Sequence, residues 1–350
     1  MALKHLLITG GAGFIGSTFV RHWHRCYPRS RLIILDALTY AGHKSNLAGV
    51  LDRASVTFVQ GDICDRDLVN HLLKHHSIDT VTHFAAESHV DRSISGPAAF
   101  VQTNVVGTFT LLDAFCAHWQ RLEKPSHFRF LHISTDEVYG SLGSHDPPFT
   151  ESSPYAPNSP YSASKASSDH LVRAYHHTYG LPTLITHSSN NYGPYQLPEK
   201  LIPLMCVNIL MGKPLPIYGD GQNIRDWIFV EDHCRALDIV LRRALPGETY
   251  NIGGQAEINN IDLVILLCDL MNELAPALPV RPAHGLMTFV RDRPGHDFRY
   301  SLCISKIQTQ LNWQPSLALD ESLRKTVSWY LTHSDWWSPL IDENFPNQDT

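Results

Sequence analysis

Short, nearly unbroken apolar runs recur in the first half of the chain, at residues 3–9, 31–36, 56–60, 80–85 and 128–134. They are too continuous for strands wetted on one face. Each therefore predicts a strand buried on both faces. Between them, residues 14–27, 66–75 and 100–119 place apolar side chains at helical spacing. A sixth run, 184–188, follows a further helical segment that carries Tyr161 and Lys165. Strand–helix–strand units repeated in this way predict an α/β fold on a doubly wound parallel sheet.

Near residue 190 the pattern changes. Prolines gather at 194, 198, 203, 214 and 216, helices shorten, and one clear helical pattern returns at 261–274. We expect a dinucleotide-binding domain over residues 1–189 and a smaller α+β substrate-binding domain over 190–350. The segments 227–230 and 250–252 read as strands. They are expected to return to the first domain, which makes the boundary discontinuous within about 227–256.

The formal net charge of -6 argues against a general nucleic-acid binder, which would carry a basic face. Seven cysteines lie scattered with no C-x-x-C, a usage that suits reduced thiols and a cytoplasmic enzyme. The N-terminus enters a strand pattern without a signal-peptide layout, and no run of about 18 apolar residues suggests a membrane span. The 21 histidines include the i, i+4 pair His71 and His75, but no acidic partner stands between them, so no metal site is expected.

Residues 10–16, Gly-Gly-Ala-Gly-Phe-Ile-Gly, follow the first strand and open a helix. Gly10, Gly13 and Gly16 would let the backbone turn tightly and approach a pyrophosphate, whose charge suits the helix N-terminus. Asp36 closes the second strand, where a carboxylate accepts from ribose hydroxyls and repels a 2′-phosphate. A Rossmann-type NAD site follows. Asp62 and Ile63 after the third strand, and Ala85 and Ala86 after the fourth, are expected to line the same cofactor.

The segment Ser134-Thr135-Asp136-Glu137-Val138-Tyr139-Gly140 is followed by Tyr161-Ser162-Ala163-Ser164-Lys165. Tyr-x-x-x-Lys on a helix puts both side chains on one face, a turn apart. A nearby ammonium favours the phenolate and can hold a nicotinamide ribose, so Tyr161 and Lys165 are candidates for taking a hydroxyl proton as hydride leaves. Thr135 could bind the same hydroxyl. Adjacent carboxyls such as Asp136 and Glu137 do not ionise together easily, so one can stay an acid while the other acts as a base. That division suits removal of water next to a new ketone. The competing reading is that they cap the following helix.

These motifs resemble the dTDP-glucose 4,6-dehydratases of the extended short-chain dehydrogenase/reductase family. The resemblance runs nearly end to end, through residues 36–42, 84–93, 134–140, 161–169, 189–196, 198–203, 225–227 and 292–297. It implies a homodimer, a tightly held NAD regenerated each cycle, and dTDP-glucose as substrate. Tyr161 would deprotonate the C4 hydroxyl, Glu137 would take the C5 proton, and Asp136 would protonate the departing C6 hydroxyl. The product would be dTDP-4-keto-6-deoxyglucose. The resemblance adds Phe14, Ile15, Ser88, Thr103 and Asn190 to the cofactor site. It also assigns Ser88, Thr135, Asn190, Glu199, Lys200, Leu201, Pro216, Tyr218, Arg225, Asn260, Arg293 and His296 to the substrate. Of these, Arg225 and Arg293 suit two-point contacts with phosphate.

Two places depart from the family pattern. His187 stands where many members have arginine, and residues 43–45 differ in a loop expected near the adenosine. A nucleotide-sugar 4-epimerase would share the fold, NAD and Tyr-x-x-x-Lys but has no need of two carboxyls at 136 and 137. A UDP- or CDP-linked substrate is harder to separate, since one thymine methyl is worth about 1–3 kcal/mol. A silent NAD-binding regulator would predict a broken Tyr–Lys or Asp–Glu pair, and all four residues are intact.

Overall fold

Leu6, Leu7 and Ile8 are fully buried, and their side chains alternate between the two faces of the first strand. Leu6 and Ile8 enter one apolar core, and Leu7 enters another on the opposite face. That two-sided burial is why the run reads as continuously apolar. The structure, a computed structural model, describes residues 3–344.

The first half comprises β1 (His5–Thr9), α1 (Phe14–Cys26), β2 (Arg31–Asp36), β3 (Val56–Gln60), α2 (Arg66–His75) and β4 (Thr80–His83). It continues through α3 (Val90–Ser95), α4 (Pro97–Phe100), α5 (Thr108–Arg121), β5 (Arg129–Thr135), α6 (Pro160–Tyr179) and β6 (Thr183–Ser188). The second half contains β7 (Asn190–Tyr192), α7 (Leu201–Met211), β8 (Leu215–Tyr218), β9 (Ile224–Phe229), α8 (Val230–Arg243) and β10 (Thr249–Ile252). It ends with β11 (Glu257–Asn259), α9 (Asn260–Leu274), β12 (Met287–Val290), α10 (Ser305–Leu311), α11 (Leu319–Thr332) and α12 (Ser334–Asn344).

Seven parallel strands form one sheet in the order β3-β2-β1-β4-β5-β6-β10. The order reverses between β1 and β4, so loops leaving their C-terminal ends part and open a crevice there. The expected return of residues 250–252 to the main sheet is seen in β10, whose Thr249–Ile252 pair with Ile185–Ser188 of β6. Residues 227–229 do otherwise. They belong to β9, which sits between β7 and β11 in a separate three-stranded sheet. Asn190–Tyr192, just beyond β6, supply its parallel partner and draw it away from the main sheet. A smaller domain is built around a third apolar core from α7, α9 and α11, where Ile202, Leu263, Leu267 and Tyr330 are fully buried.

Between α4 and α5 the chain makes a π-helical stretch, Val101–Gly107. The wider turn re-aims the residues within it. Asn104 there accepts from the Glu87 amide at 2.9 Å and donates to Ser164 Oγ of α6 at 2.8 Å. The continuous helix Pro97–Arg121 has the length and apolarity of a membrane span, at a mean hydropathy of 1.2, but 56% of that window is buried inside the protein. Leu111, Leu112 and Phe115 pack it onto the sheet.

Candidate active site

A cleft of about 340 Å³ occupies the crevice between β1 and β4. Gly10, Gly13, Phe14, Ile15 and Gly16 line its floor, with Asp36, Asp62 and Ile63 on one side and Ala85, Ala86, Ser88 and Thr103 on the other. Thr135, Asp136, Glu137, Tyr161, Lys165, Asn190, Glu199 and Lys200 complete the wall. The expected catalytic and cofactor residues thus meet in one place.

The glycine loop is shaped for a close ligand. A Cβ on Gly10, whose φ is +67°, would lie 2.5 Å from the Ala85 amide nitrogen, and one on Gly16 would lie 2.2 Å from the Gly10 carbonyl oxygen. Such contacts leave no room for a side chain. Asp36 is buried, which raises its carboxyl above the ordinary value, and backbone N–H groups of Leu38 (2.9 Å) and Ala12 (2.8 Å) offset that. Each carboxylate oxygen thus accepts one hydrogen bond from the backbone and keeps capacity for another, as recognition of two ribose hydroxyls requires. These residues fit NAD.

The helix that carries Tyr161 and Lys165 is set by its N-terminus. Ser159 caps α6 in a reciprocal capping box with Ser162, and Pro160 takes the first position, where its missing N–H costs nothing. Tyr161 follows on the first turn. Lys165, one turn on, donates from Nζ to the Ile133 carbonyl at 2.8 Å, so its nearest hydrogen-bond partner is the backbone of β5. Burial lowers the ammonium to about 8, and Asp169 partly offsets that. Burial first, then the carboxyls of Glu137 and Asp136, holds the Tyr161 phenol well above its ordinary value, while a hydrogen bond from Thr135 pulls it down.

At the end of β5, Thr135 caps a single turn by accepting from the Glu137 amide at 3.3 Å. The capping alternative is therefore real, but Thr135 performs it; Asp136 Oδ1 accepts from the Thr135 hydroxyl at 3.3 Å, and neither carboxyl caps the turn. Asp136 is 2% exposed, and its Oδ2 has no hydrogen-bond partner in the protein. Burial, reinforced by the charge of Glu137, drives the Asp136 carboxyl well above its ordinary value. Burial also raises Glu137, but Arg293, Lys200 and Arg225 pull it back. Two adjacent carboxyls therefore sit in different fields.

The remaining expected residues lie outside the cleft wall, on the small domain. Leu201 opens α7, Pro216 and Tyr218 lie on β8, and Asn260 begins α9. Arg225 is buried, donating to the carbonyls of Ile224 (2.7 Å), Phe298 (3.2 Å) and Asp297 (2.8 Å), with its guanidinium 4.5 Å from the Tyr300 ring centroid. Backbone thus takes part of the fork that the sequence suggested for phosphate. Arg293 lies 3.8 Å from Asp91, and its Nε is buried without a partner, as is Oδ1 of Asn260. His296 Nδ1 meets Asp292 at 2.6 Å, and its ring stands edge-on to Tyr218. The sequence reading missed Tyr300, whose phenol Glu137 and Asp297 push up after burial does so. It also missed the cleft residues Thr39, Glu87, Asn191 and Tyr195. All four fall inside the motifs at 36–42, 84–93 and 189–196, which were the available signal.

Among the described residues, one His–Cys–Asp group could approach a metal: His22, Cys26 and Asp238. Asp238 already accepts from Tyr27 and Arg242, so its lone pairs are largely spent.

A family model described as GDP-mannose 4,6 dehydratase matches residues 7–326. A dTDP-glucose 4,6-dehydratase of Neisseria meningitidis serogroup B is 55% identical over 347 residues, covering 98% of each chain. The chain belongs to the dTDP-glucose 4,6-dehydratase family. Among solved structures, DesIV of Streptomyces venezuelae, a dTDP-glucose 4,6-dehydratase with NAD and TYD bound, is similar at a TM-score of 0.89 and 47% identity, over 96% of this chain and 100% of that one. A dTDP-glucose 4,6-dehydratase of Bacillus anthracis in complex with NAD gives 0.85 and 43%, over 96% and 99%.

Proposed function

We propose that this enzyme removes water from dTDP-glucose to give dTDP-4-keto-6-deoxyglucose, with no net oxidation. The observation that carries the reading is the unequal environment of Asp136 and Glu137. In it, Tyr161 takes the C4 hydroxyl proton as a phenolate, a form that burial and the two carboxyls oppose and that the positive charge of bound NAD would have to favour, while Thr135 holds the same oxygen. NAD, when bound, would supply the hydride acceptor and donor that joins C4 to C6, and it would be regenerated within each turnover. Glu137, eased by three cations, takes the proton from C5, which the C4 ketone has acidified. Asp136, kept protonated by burial and by its neighbour, gives its proton to the leaving C6 hydroxyl, and one water departs. Glu137 then returns its proton to C5, and the proton gained by Tyr161 is released to solvent as Asp136 takes one up, which restores both groups.

Gly10, Gly13, Phe14, Ile15 and Gly16 would hold the NAD pyrophosphate, Asp36 the adenosine ribose, and Lys165 the nicotinamide ribose. Arg225, Arg293 and Lys200 supply positive charge for the substrate diphosphate, and Asn190, Glu199, Asn260 and His296 supply polar contacts. In this assignment the nucleotide sugar is bound mainly by the part of the chain beyond about residue 190.

We read the active form as a cytoplasmic homodimer. Val101, Val106 and Phe109 are 53%, 39% and 42% exposed along the α4–α5 helix, with Ile94 and Tyr179 exposed on α3 and α6. An apolar face of this kind favours a second copy. Phe109→Asp should then run as a monomer in sedimentation, whereas an unchanged sedimentation coefficient would remove the assignment. The reaction itself is tested by mass spectrometry of dTDP-glucose incubated with the purified protein and no added NAD. Loss of one water supports the dehydratase reading. An unchanged mass after NAD is added, with C4 inverted, would make it an epimerase.

A further inference from the structure

Helix α3 meets the far side of the cleft twice. Asp91 lies 3.8 Å from Arg293, and Arg92 Nη2 lies 3.7 Å from Glu199 Oε2. The second contact reaches the reaction. Glu199 shares the cleft wall with Thr135, Asp136, Glu137 and Tyr161, whereas Arg225, Asn260 and His296 lie outside it. Its carboxylate therefore belongs with the hexose and not with the nucleotide.

The Glu199 side chain is 4% exposed, and a carboxylate so buried depends on the donors and charges around it. His89 Nε2 lies 3.7 Å from Oε2, the oxygen that Arg92 also faces, and Lys200 Nζ lies 4.0 Å from Oε1. His89 Nδ1 accepts from the Arg92 amide at 3.4 Å, so Nε2 carries the ring proton. Burial, and then Lys200, lower that ring to about 4, so it offers Glu199 an N–H without a charge near pH 7. Lys200 is shared. It donates to the Ser88 carbonyl at 3.3 Å, and its charge is the one assigned above to the diphosphate. Of these three groups, Arg92 is the cation that the substrate does not also claim.

Tyr40 fixes Arg92. The guanidinium carbon stands 3.9 Å from the Tyr40 ring centroid, a stack that suits a planar guanidinium better than an ammonium. The Arg92 side chain is 42% exposed, and a long side chain at such a site samples many rotamers unless a surface holds it. Tyr40 supplies that surface from the loop after β2, four residues beyond Asp36.

We propose that Arg92 is a positioning residue for the hexose: stacked on Tyr40, its guanidinium holds the Glu199 carboxylate at the reacting end of the cleft. This rests on Glu199 touching the substrate and Lys200 holding its diphosphate, as given above. The competing reading makes Arg92 a strut that only joins the two sides of the cleft. A strut would serve the nucleotide as much as the sugar, so a ligand without the hexose separates the two.

The test compares kcat/KM for dTDP-glucose with the inhibition constant of dTDP, both measured on the NAD-loaded enzyme. Arg92→Gln should lower kcat/KM by about tenfold, the scale of a half-buried charge pair, with dTDP inhibition within about twofold of wild type. Arg92→Lys keeps the charge without the stack and should fall between. Combining Arg92→Gln with Glu199→Gln should cost no more than Glu199→Gln alone, because both act through one carboxylate. Circular dichroism and retained NAD check folding, and Tyr40→Leu, which removes the stack, takes the place of Arg92→Gln if that variant does not fold. If dTDP inhibition weakens in step with kcat/KM, or the two single losses add in the double variant, Arg92 is a strut and the proposal falls. A loss in Glu199→Gln with none in Arg92→Gln removes Arg92 and leaves the Glu199 role standing. An unchanged kcat/KM in Glu199→Gln removes that role, and the proposal with it.

Discussion

Trp336 of α12 donates from Nε1 to Asn46 Oδ1 at 2.9 Å, joining residues 290 positions apart. Asn46 is 2% exposed, and its Nδ2 donates to the carbonyl of Ala12 inside the glycine loop at 2.8 Å. One buried amide thus ties the end of the chain to the loop expected to hold NAD. Replacing it by alanine leaves the Trp336 N–H without its partner and the Ala12 carbonyl with only the His43 N–H at 3.1 Å, at a cost of about 1–3 kcal/mol. Asn46→Ala should lower the thermal midpoint and reduce the NAD that survives purification. An unchanged NAD content would show that the tie is structural only.

Gly16→Ala introduces a methyl group 2.2 Å from the Gly10 carbonyl oxygen and 2.9 Å from the Gly11 Cα. Both obstacles are backbone, so the loop itself has to move. A destabilisation of about 1–3 kcal/mol and near-complete loss of bound NAD are expected. The NAD released on denaturation, quantified by chromatography, checks this. Full occupancy would mean that the cofactor lies elsewhere.

Lys165 gives activity and stability opposite responses to alkali. Its ammonium is depressed to about 8 in the fold, against 10.5 unfolded. Between those values the unfolded chain binds the extra proton, so this residue's contribution makes stability rise with pH. Activity needs the ammonium and should fall across the same interval. Comparing urea unfolding of wild type and Lys165→Met at pH 7 and pH 9.5 isolates the residue: the variant's stability advantage should shrink at the higher pH. An advantage that grows with pH would reverse the sign of the argument.

The parts of this fold that could be read from the sequence are those decided by neighbours in sequence. The buried runs of β1 and β2, the glycine turn and the Tyr161–Lys165 spacing each depend on residues within a few positions. The π-helical stretch at 101–107 leaves no such mark, because it is set by Asn104 reaching both Glu87 and Ser164. Arg225 shows the same limit: its carbonyl partners at 297 and 298 lie more than 70 residues on. Residues 227–229 had the composition of a strand, but only the placement of β7 decides which sheet takes them. His187 stood out as a departure from a pattern, and its partners are visible only where Asp169, Tyr139 and Tyr155 converge on it.

The division of labour between Asp136 and Glu137 is tested most directly by a single turnover of Asp136→Asn with dTDP-glucose, followed at the NADH absorbance and by mass of the quenched sugar. In the proposed scheme oxidation at C4 uses Tyr161 and not Asp136, so the variant should form NADH at a rate near that of wild type and then stall without losing water. Wild type should pass through without accumulating NADH. Water lost at the wild-type rate, or no NADH formed at all, would contradict the assignment of Asp136 as the acid that releases the C6 hydroxyl.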